Sequence, residues 1–564
     1  MQGSEPELKT ARRGYSVSYK NKTLLSTIDP VAQAERAASE AGGKDRTLYL
    51  CPSPLLGYGL DILLSVITED SAVLCVETDK KLFSLSETYI NKNLLNHPKF
   101  AFTAIRDGEE LFAFIRKKWG ARVFRRVEKV RLTGGWQLDS EFYEEAEELI
   151  RSGFATEWGN AMVLSKLGRR FICNLIRNIA NLPGAKPVTD LHFGSKPVLV
   201  LGAGPSLDPL LDNLQKAGIF ETKRKNFFLV CVDTALSSLK ERGIKPDLAV
   251  ILESQFWNMR DFIGSLNTGI PAAVDISAYP GSLKLLGGQI YIFFTPWTKL
   301  GIFDRLSGSG FLPPSVEPLG SVGLAAVDIS RRISSGLILI GGIDFSYTID
   351  SLHARSCPAH ISRLLAQNRF SRIFNAGAVV REGVFNTFSK INNPVKSDPA
   401  MRTYCNLFKK EFSGDNRIKD IAGNGLSLGL ETLSTEKTAE ILGTDFNDGT
   451  ETNEKENYIA ESRPGNINNI SGFIKNEKEL LEKLRSILTG TGTEIKCIDN
   501  KKTDLETLLD QADYLWSHFP DCAGTEGRRP PSTDLIFLKR VRAEIDPFIK
   551  LWELAGRETA AGFN

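Results

Sequence analysis

Short apolar runs alternate with stretches of helical spacing along most of the chain, and polar breaks divide it into three regions. In the first, residues 1–185, "TLYLCPSPLLGYGLDILLSVI" reads as a strand, a glycine-containing turn and a helix. "SAVLCVETD" follows as a second strand ending at Glu77, and "TEWGNAMVLSKLGRRFICNLIRNIANL" predicts a helical bridge. The second region, residues 186–445, alternates strands and helices. "PVLVLG", "NFFLVCVD" (ended by Asp233), "PDLAVILES", "GQIYIFFTP" and "GLILIGGIDFS" are strands, and "TALSSLKERG" is a helix closed by Gly243. Such alternation predicts an α/β fold: a Rossmann-like central domain with a mostly parallel sheet, preceded by a smaller α/β domain. The third region, residues 446–564, opens with a polar linker and continues as three amphipathic helices. One face carries Leu480, Leu481, Leu484, Ile487 and Leu488. The second carries Leu505, Leu508, Leu509, Ala512, Trp516 and Phe519, with Thr503 and Glu506 as a capping box. The third carries Leu538, Val541, Ile545, Phe548 and Trp552. These faces need burial, which predicts a small helical domain packed on the rest or on a partner.

Composition narrows the classes. The 564 residues are 42% hydrophobic and 24% charged, as in ordinary soluble globular protein. A net charge of +2 is too small for a nucleic-acid coat or a membrane-surface binder. The densest basic run, "RVFRRVEKVR" from Arg122, interleaves Val123, Val127 and Val130 at helical spacing and reads as the solvated face of an amphipathic element. The eight cysteines form no C-x-x-C pair, and several sit in apolar strand-like runs, as buried reduced thiols do. With no apolar core in "MQGSEPELKTARRGYS" and no apolar stretch of about 18 residues, a cytoplasmic location without a membrane span is expected.

Two glycine turns are candidates for chemistry. In the first region Gly57 precedes Glu77 by twenty residues, near the spacing of an acid that holds a ribose. Pro52 and Pro54 spoil the pattern, so a degenerate, structural Rossmann-like domain is expected there. In the second region "VLVLGAGPSL", Val198 to Leu207, carries Leu207 where the dinucleotide fingerprint has its third glycine, and no Gly-Lys-Ser/Thr follows. Neither motif is present. Gly202 and Gly204 still permit close approach of a ligand to backbone N–H groups, and Ser206 adds a hydroxyl. Asp208 followed by Pro209 predicts an N-cap and first helical residue, leaving a phosphate to the loop amides and Ser206.

The company of this loop carries a resemblance. "VLVLGAGPSLDPLLDNLQ", "VDTALSSLKERGIKPDLAVILES" and "LILIGGIDFSYTIDSLHA" resemble the motility accessory factor family of flagellin glycosyltransferases. The central domain of that family is related to hydroxymethylpterin pyrophosphokinase-like proteins and to the bacterial sialyltransferases that use CMP-sialic acid. The resemblance covers roughly residues 190–440 and is looser on either side. It implies a sialyltransferase-like variant of the GT-A type. It also implies transfer of a nonulosonic acid, such as pseudaminic or legionaminic acid, from its CMP form to Ser or Thr of flagellin. No cofactor beyond the activated donor is implied. Gly202, Ala203, Gly204, Pro205 and Ser206 would hold the CMP, with Asp233, Thr234, Ser321, Gly323 and Asp344 beside it at the same sheet edge. Ala203 stands where the sialyltransferases have Asn, so one side-chain contact is absent or supplied elsewhere.

The chain contains no D-x-D pair, so no metal is expected. Transfer needs a base for the acceptor hydroxyl, and histidine suits that role. Of five histidines, His353 and His360 follow the "GGIDF" strand closely. His353 matches the family's "THA"-like position and is the first candidate; His360 is the second. Tyr347 and Arg355 rank after the loop as phosphate holders. The alternatives are a 6-hydroxymethylpterin pyrophosphokinase-like enzyme, a non-catalytic nucleotide-binding assembly protein and, last, a methyltransferase working through the first region. The acceptor would be flagellin, nucleic acid is excluded, and an oligomer is allowed.

Overall fold

The computed structural model describes residues 5–120, 122–370, 376–445, 467–489, 499–523 and 529–561. The chain divides into two compact units. The first comprises residues up to Gly168 together with Trp516–Pro531, and the second comprises Arg169–Leu515 together with residues from Ser532 onward.

In the first unit β1 (Glu7–Thr10), β2 (Tyr15–Tyr19) and β3 (Lys22–Thr23) form an antiparallel sheet. The strands β4 (Thr47–Pro52), β5 (Ala72–Val76), β6 (Phe100–Thr103) and β7 (Arg126–Lys129) form a parallel sheet in the order β6-β5-β4-β7. Every residue of β4 and β5 is buried, as expected for strands covered on both faces. Ala34, Ala38, Leu60 and Leu63 pack on one face; Leu111, Phe112, Ile115, Tyr143 and Ile150 pack on the other. Asp29, Asp79 and Asp107 cap three of the covering helices with their carboxylates. The basic run from Arg122 contains a strand rather than an amphipathic helix. Its valines are β-branched and suit a pleated surface; Val127 enters the core while Lys129 pairs with Glu144 and Glu147. The predicted bridge is the second part of a 40-residue helix, Ser140–Ile179.

The second unit is built on nine parallel strands: β8 (Lys186–Pro187), β9 (Val198–Leu201), β10 (Phe228–Val232), β11 (Leu248–Ile251), β12 (Ile270–Asp275), β13 (Gly287–Phe293), β14 (Ile338–Gly341), β17 (Ile418–Ile421) and β18 (Thr432–Leu433). A small hairpin, β15 (Phe385–Phe388) with β16 (Pro394–Ser397), lies between β14 and β17 in the chain. The sheet order is β18-β17-β14-β9-β10-β11-β12-β13-β8, so the predicted α/β fold with its parallel sheet is present. From β9 the chain adds β10 to β13 in one direction and β14, β17 and β18 in the other. This makes β9/β14 the topological switch point, where loops at the carboxyl ends of adjacent strands part and leave a crevice. All of β9, β10, β11 and β14 except Phe228 is buried, and helix Val322–Ile333 packs across them. Each fully buried Val or Leu contributes about 1.5–3 kcal/mol, so this sheet holds the edge loops on a rigid base.

Helix Ile467–Thr489 packs along Leu535–Ala561 in this unit through Ile470, Leu481 and Leu484 on one side and Val541, Ile545 and Trp552 on the other. Arg305 forks onto Glu477, with Nε 2.5 Å and Nη2 3.0 Å from its two oxygens, and ties the pair to helix Gly301–Gly308. The middle face is not one helix. Asp499–Gln511 is followed by a 3-10 turn, Asp513–Leu515, because Asp513 accepts the Gly301 N–H at 2.8 Å instead of continuing the helix. The helix there begins at Asp499, and the capping box expected at Thr503 and Glu506 rests on a side chain outside the described residues.

Candidate functional site

The loop after β9 and the loop after β14 are laced together at the switch point. The N–H groups of Gly202 and Gly204 donate to the carbonyls of Gly341 and Gly342, each at 2.8 Å. A Cβ on Gly202 would meet the Gly342 oxygen at 2.5 Å, and one on Gly204 would meet Asp344 Oδ2 at 2.4 Å. These glycines allow two backbones to approach, the service expected for a ligand here performed for a neighbouring loop. The Ser206 N–H donates to Asp344 Oδ2 at 2.7 Å and its hydroxyl donates to Asp344 Oδ1 at 2.5 Å. Ser206 and Asp344 are thus brought together, and the anion on the Ser206 donors is the protein's own carboxylate. Phe345, just after it, is held at φ 49°, a left-handed conformation that costs a non-glycine residue about 1 kcal/mol or more.

Asp208 does not cap. Helix Leu207–Lys216 starts two residues earlier than predicted, with Ser206 at the cap position. Asp208 is buried and pairs with Arg242 at 3.0 Å, and it accepts the Arg355 N–H at 2.7 Å. Asp208 still lies in the first turn of that helix, and the carboxylate that occupies its N-terminal donors is that of Asp344. The Arg355 guanidinium lies 3.8 Å from Asp208 and is exposed, whereas Tyr347 is buried with its hydroxyl donating to the Ala378 carbonyl at 3.4 Å.

The remaining sequence candidates reach the same edge. Asp233 and Thr234 open the turn after β10, and the Thr234 carbonyl accepts from Cys357 Sγ at 3.2 Å. Ser321 is the N-cap residue of Val322–Ile333, with no capping bond from its side chain; Gly323 packs on Ile343, two residues after the end of β14. His353 is half-buried in the loop tied to the glycine turn by the Ala354 N–H, which donates to the Ala203 carbonyl at 3.0 Å. His353 Nδ1 lies 2.6 Å from the Leu352 carbonyl. That contact fixes the proton on Nδ1 and leaves the Nε2 lone pair as the acceptor. Burial, aided by Arg363 and His360, lowers the His353 pKa to about 4, so the ring is neutral at working pH. His360 is buried on helix Pro358–Leu365, and burial lowers its pKa too.

Sequence reasoning missed two groups. Asn258 Nδ2 bridges Asp233 Oδ2 at 2.7 Å and Asp261 Oδ2 at 3.2 Å. Burial, with the charge of Asp261, raises Asp233 to about 7, and burial raises Asp261 to about 6, so both carboxyls exchange protons near neutrality. Behind Asp344, Lys390 Nζ sits 2.5 Å from Asp420 Oδ1, both almost fully buried. Burial pushes Asp420 up to about 6 and pushes Asp344 up from the usual carboxylate range, each opposed by Lys390. Gly423 and Gly425 after β17 let that loop close on Ser206 and Asp344, and "AGNG" is the signal that was available for it.

In the first unit the corresponding edge is filled. Glu77, at about the spacing of a ribose-holding acid, accepts from Ser53 Oγ at 2.5 Å, and burial holds its carboxyl at about 7. Ser53 and Leu55 adopt φ of 49° and 50°, and the Thr133 hydroxyl closes on the Ser53 carbonyl at 2.6 Å. The turn after β4 binds its own chain, as a structural α/β unit does.

Residues 173–350 match the family described as 6-hydroxymethylpterin diphosphokinase MptE-like. An uncharacterized protein of Treponema pallidum (strain Nichols) is 29% identical over 97% of this chain and 95% of its own length. The solved structure of a Maf glycosyltransferase from Magnetospirillum magneticum AMB-1 superposes with a TM-score of 0.58 at 13% identity, covering 99% of this chain and 93% of that one. The resemblance carried by the sequence blocks is thus met by a likeness of fold along nearly the whole chain. Among the described residues no helix is long and apolar enough to cross a membrane.

Proposed function

We propose that the chain is an inverting glycosyltransferase that moves a nonulosonic acid from its CMP form to Ser or Thr hydroxyls of flagellin in the cytoplasm. The observation that supports it best is the meeting, at the β9/β14 switch point, of the glycine loop, the N-terminus of helix Val322–Ile333 and a histidine held neutral with Nε2 as acceptor. In this reading His353 takes the acceptor proton on Nε2 while the hydroxyl oxygen attacks the anomeric carbon and CMP departs. Ser321 and the first amides of Val322–Ile333 receive the phosphate charge, since the Ser206 donors already serve Asp344. Asp233 and Thr234 are assigned to the ribose. His353→Ala is expected to lower the transfer rate about 10²–10⁴-fold with CMP binding kept. A normal rate removes His353 from this role.

The match of residues 173–350 favours a second reading, a pterin diphosphokinase using ATP. Thermal stabilisation separates the two. CMP, without ATP, is expected to raise the melting temperature; stabilisation by ATP and magnesium alone overturns the transferase assignment.

A further inference from the structure

His353 stands on a loop whose neighbouring residues are fastened. Leu352, Ala354 and Cys357 are buried, and His353 and Arg355 lie between them. Three ties hold this loop at the crevice edge. The Ala354 N–H donates to the Ala203 carbonyl at 3.0 Å, Cys357 Sγ donates to the Thr234 carbonyl at 3.2 Å, and the Arg355 N–H donates to Asp208 Oδ2 at 2.7 Å. The first is a neutral hydrogen bond and the second a weak thiol one. Only the third has a carboxylate as acceptor, which makes it about twice as strong as a neutral bond. The two tied amides belong to the two residues that follow His353 directly.

The helix places Asp208 for this contact. It is the second residue of Leu207–Lys216, and helical side chains lean toward the N-terminus, here toward the loop edge. Its other oxygen, Oδ1, accepts from Arg242 Nη2 at 3.0 Å. Arg242 closes helix Leu236–Glu241 and spreads its guanidinium over three acceptors. Besides Asp208 these are Asp212, with Nε at 3.2 Å and Nη2 at 3.0 Å, and the Ser238 carbonyl, with Nη1 at 3.2 Å. At 4% exposure the Asp208 carboxylate needs such a partner. With both oxygens engaged by fixed donors, it is not free to meet a substrate, so its influence on the chemistry passes through the loop.

We propose that Asp208, oriented by Arg242, is a positioning residue that holds the His353 loop against the glycine turn and keeps the imidazole packed at the crevice edge. Its catalytic meaning rests on the glycosyltransferase reading; the link itself does not. The sign of one effect distinguishes the link from plain electrostatics. Burial, aided by Arg363 and His360, holds the His353 pKa low, and Asp208, Arg363 and Arg355 are the charged groups that act on His360. Loss of the Asp208 charge alone lowers a nearby histidine further, whereas release of the loop exposes the ring and raises it toward about 6.5.

The test uses the full chain labelled at histidine Cε1, with the His353 signal identified by its loss in His353→Gln and its titration followed by NMR. With a pKa of about 4 the wild-type ring stays neutral from about pH 8 down to about pH 5.5. Asp208→Ala is expected to bring its midpoint into that range. Asp208→Asn, which keeps an oxygen for the Arg355 N–H, leaves the ring neutral there. A cooperative melting transition certifies that each variant is folded. Should Asp208→Ala not fold, hydrogen exchange in the wild type decides: the Arg355 amide is expected to exchange at least about tenfold more slowly than an unbonded amide. An Arg355 amide that exchanges freely, a midpoint that stays below the range in Asp208→Ala, or equal rises in the Ala and Asn variants each overturns the proposal. A shifted titration together with a wild-type transfer rate in His353→Ala keeps the link and rejects the histidine as base.

Discussion

Asp344 is the group on which the crevice loops turn, and its removal has a calculable effect. It is 3% exposed and accepts both the N–H and the hydroxyl of Ser206, which is itself buried. Asp344→Ala leaves two buried donors without an acceptor, each costing about 1–3 kcal/mol, for a total of about 2–6 kcal/mol. Ser206→Ala removes the hydroxyl bond alone and keeps the amide bond, for about 1–3 kcal/mol. Because the two residues share that bond, the double variant is less destabilised than the sum of the singles by about 1–3 kcal/mol. Differential scanning calorimetry reads this in the transition of the unit that holds the nine-stranded sheet. At about 2–4 °C per kcal/mol, Asp344→Ala lowers that transition by about 4 °C or more. Its own Lys390 neighbour keeps Asp420 as a partner, so the loss belongs to the Ser206 lock and not to a stranded cation. A drop under about 1 °C, or strictly additive single and double variants, refutes the lock.

Asp233 carries a pH signature. The folded chain holds its proton up to about pH 7, whereas the unfolded chain releases it near 3.8, so between those values the folded state binds more protons and stability falls as pH rises. A shift of about three units corresponds to about 4 kcal/mol, and Asp233→Asn is expected to flatten the melting temperature by that share between pH 4 and 7; a constant offset from wild type across that range contradicts the assignment. Gly204→Ala forces its Cβ to within 2.4 Å of Asp344 Oδ2 and 2.7 Å of the Gly342 oxygen. It is expected to cost about 1–3 kcal/mol in the same calorimetric transition. Gly308→Ala, with nothing within 4 Å in helix Gly301–Gly308, gains about 0.5–1 kcal/mol; similar losses in both show that close approach is not what the loop glycines provide.

What the sequence disclosed and what it hid follow from one physical distinction. A strand buried on both faces must be apolar throughout, so β4, β5, β9, β10, β11 and β14 were legible as runs. The edge at which their loops emerge was legible with them, because parallel strands place all their carboxyl ends on one side. β12 was harder. "IPAAVD" is small-chained and contains a proline, and its burial comes from neighbours on both sides rather than from its own pattern. The partners within the site were harder still. That Ser206 would hand its donors to Asp344, 138 residues away, depends on Gly202, Gly204, Gly423 and Gly425 drawing three loops together. "GAGPSL" specifies only that the backbone can come close to something; whether that something is a phosphate or a carboxylate is decided elsewhere in the chain. Lys390 shows the limit most sharply. It sits in "FSKINNP", with no periodicity or motif around it, yet it is 4% exposed and pairs with Asp420 behind the crevice. A buried lysine is tolerated only where carboxylates compensate it, and those carboxylates are Asp420 and, more distantly, Asp344. The pairing is a property of the folded edge, which is why local spacing predicted where chemistry would gather but not which groups would face each other there.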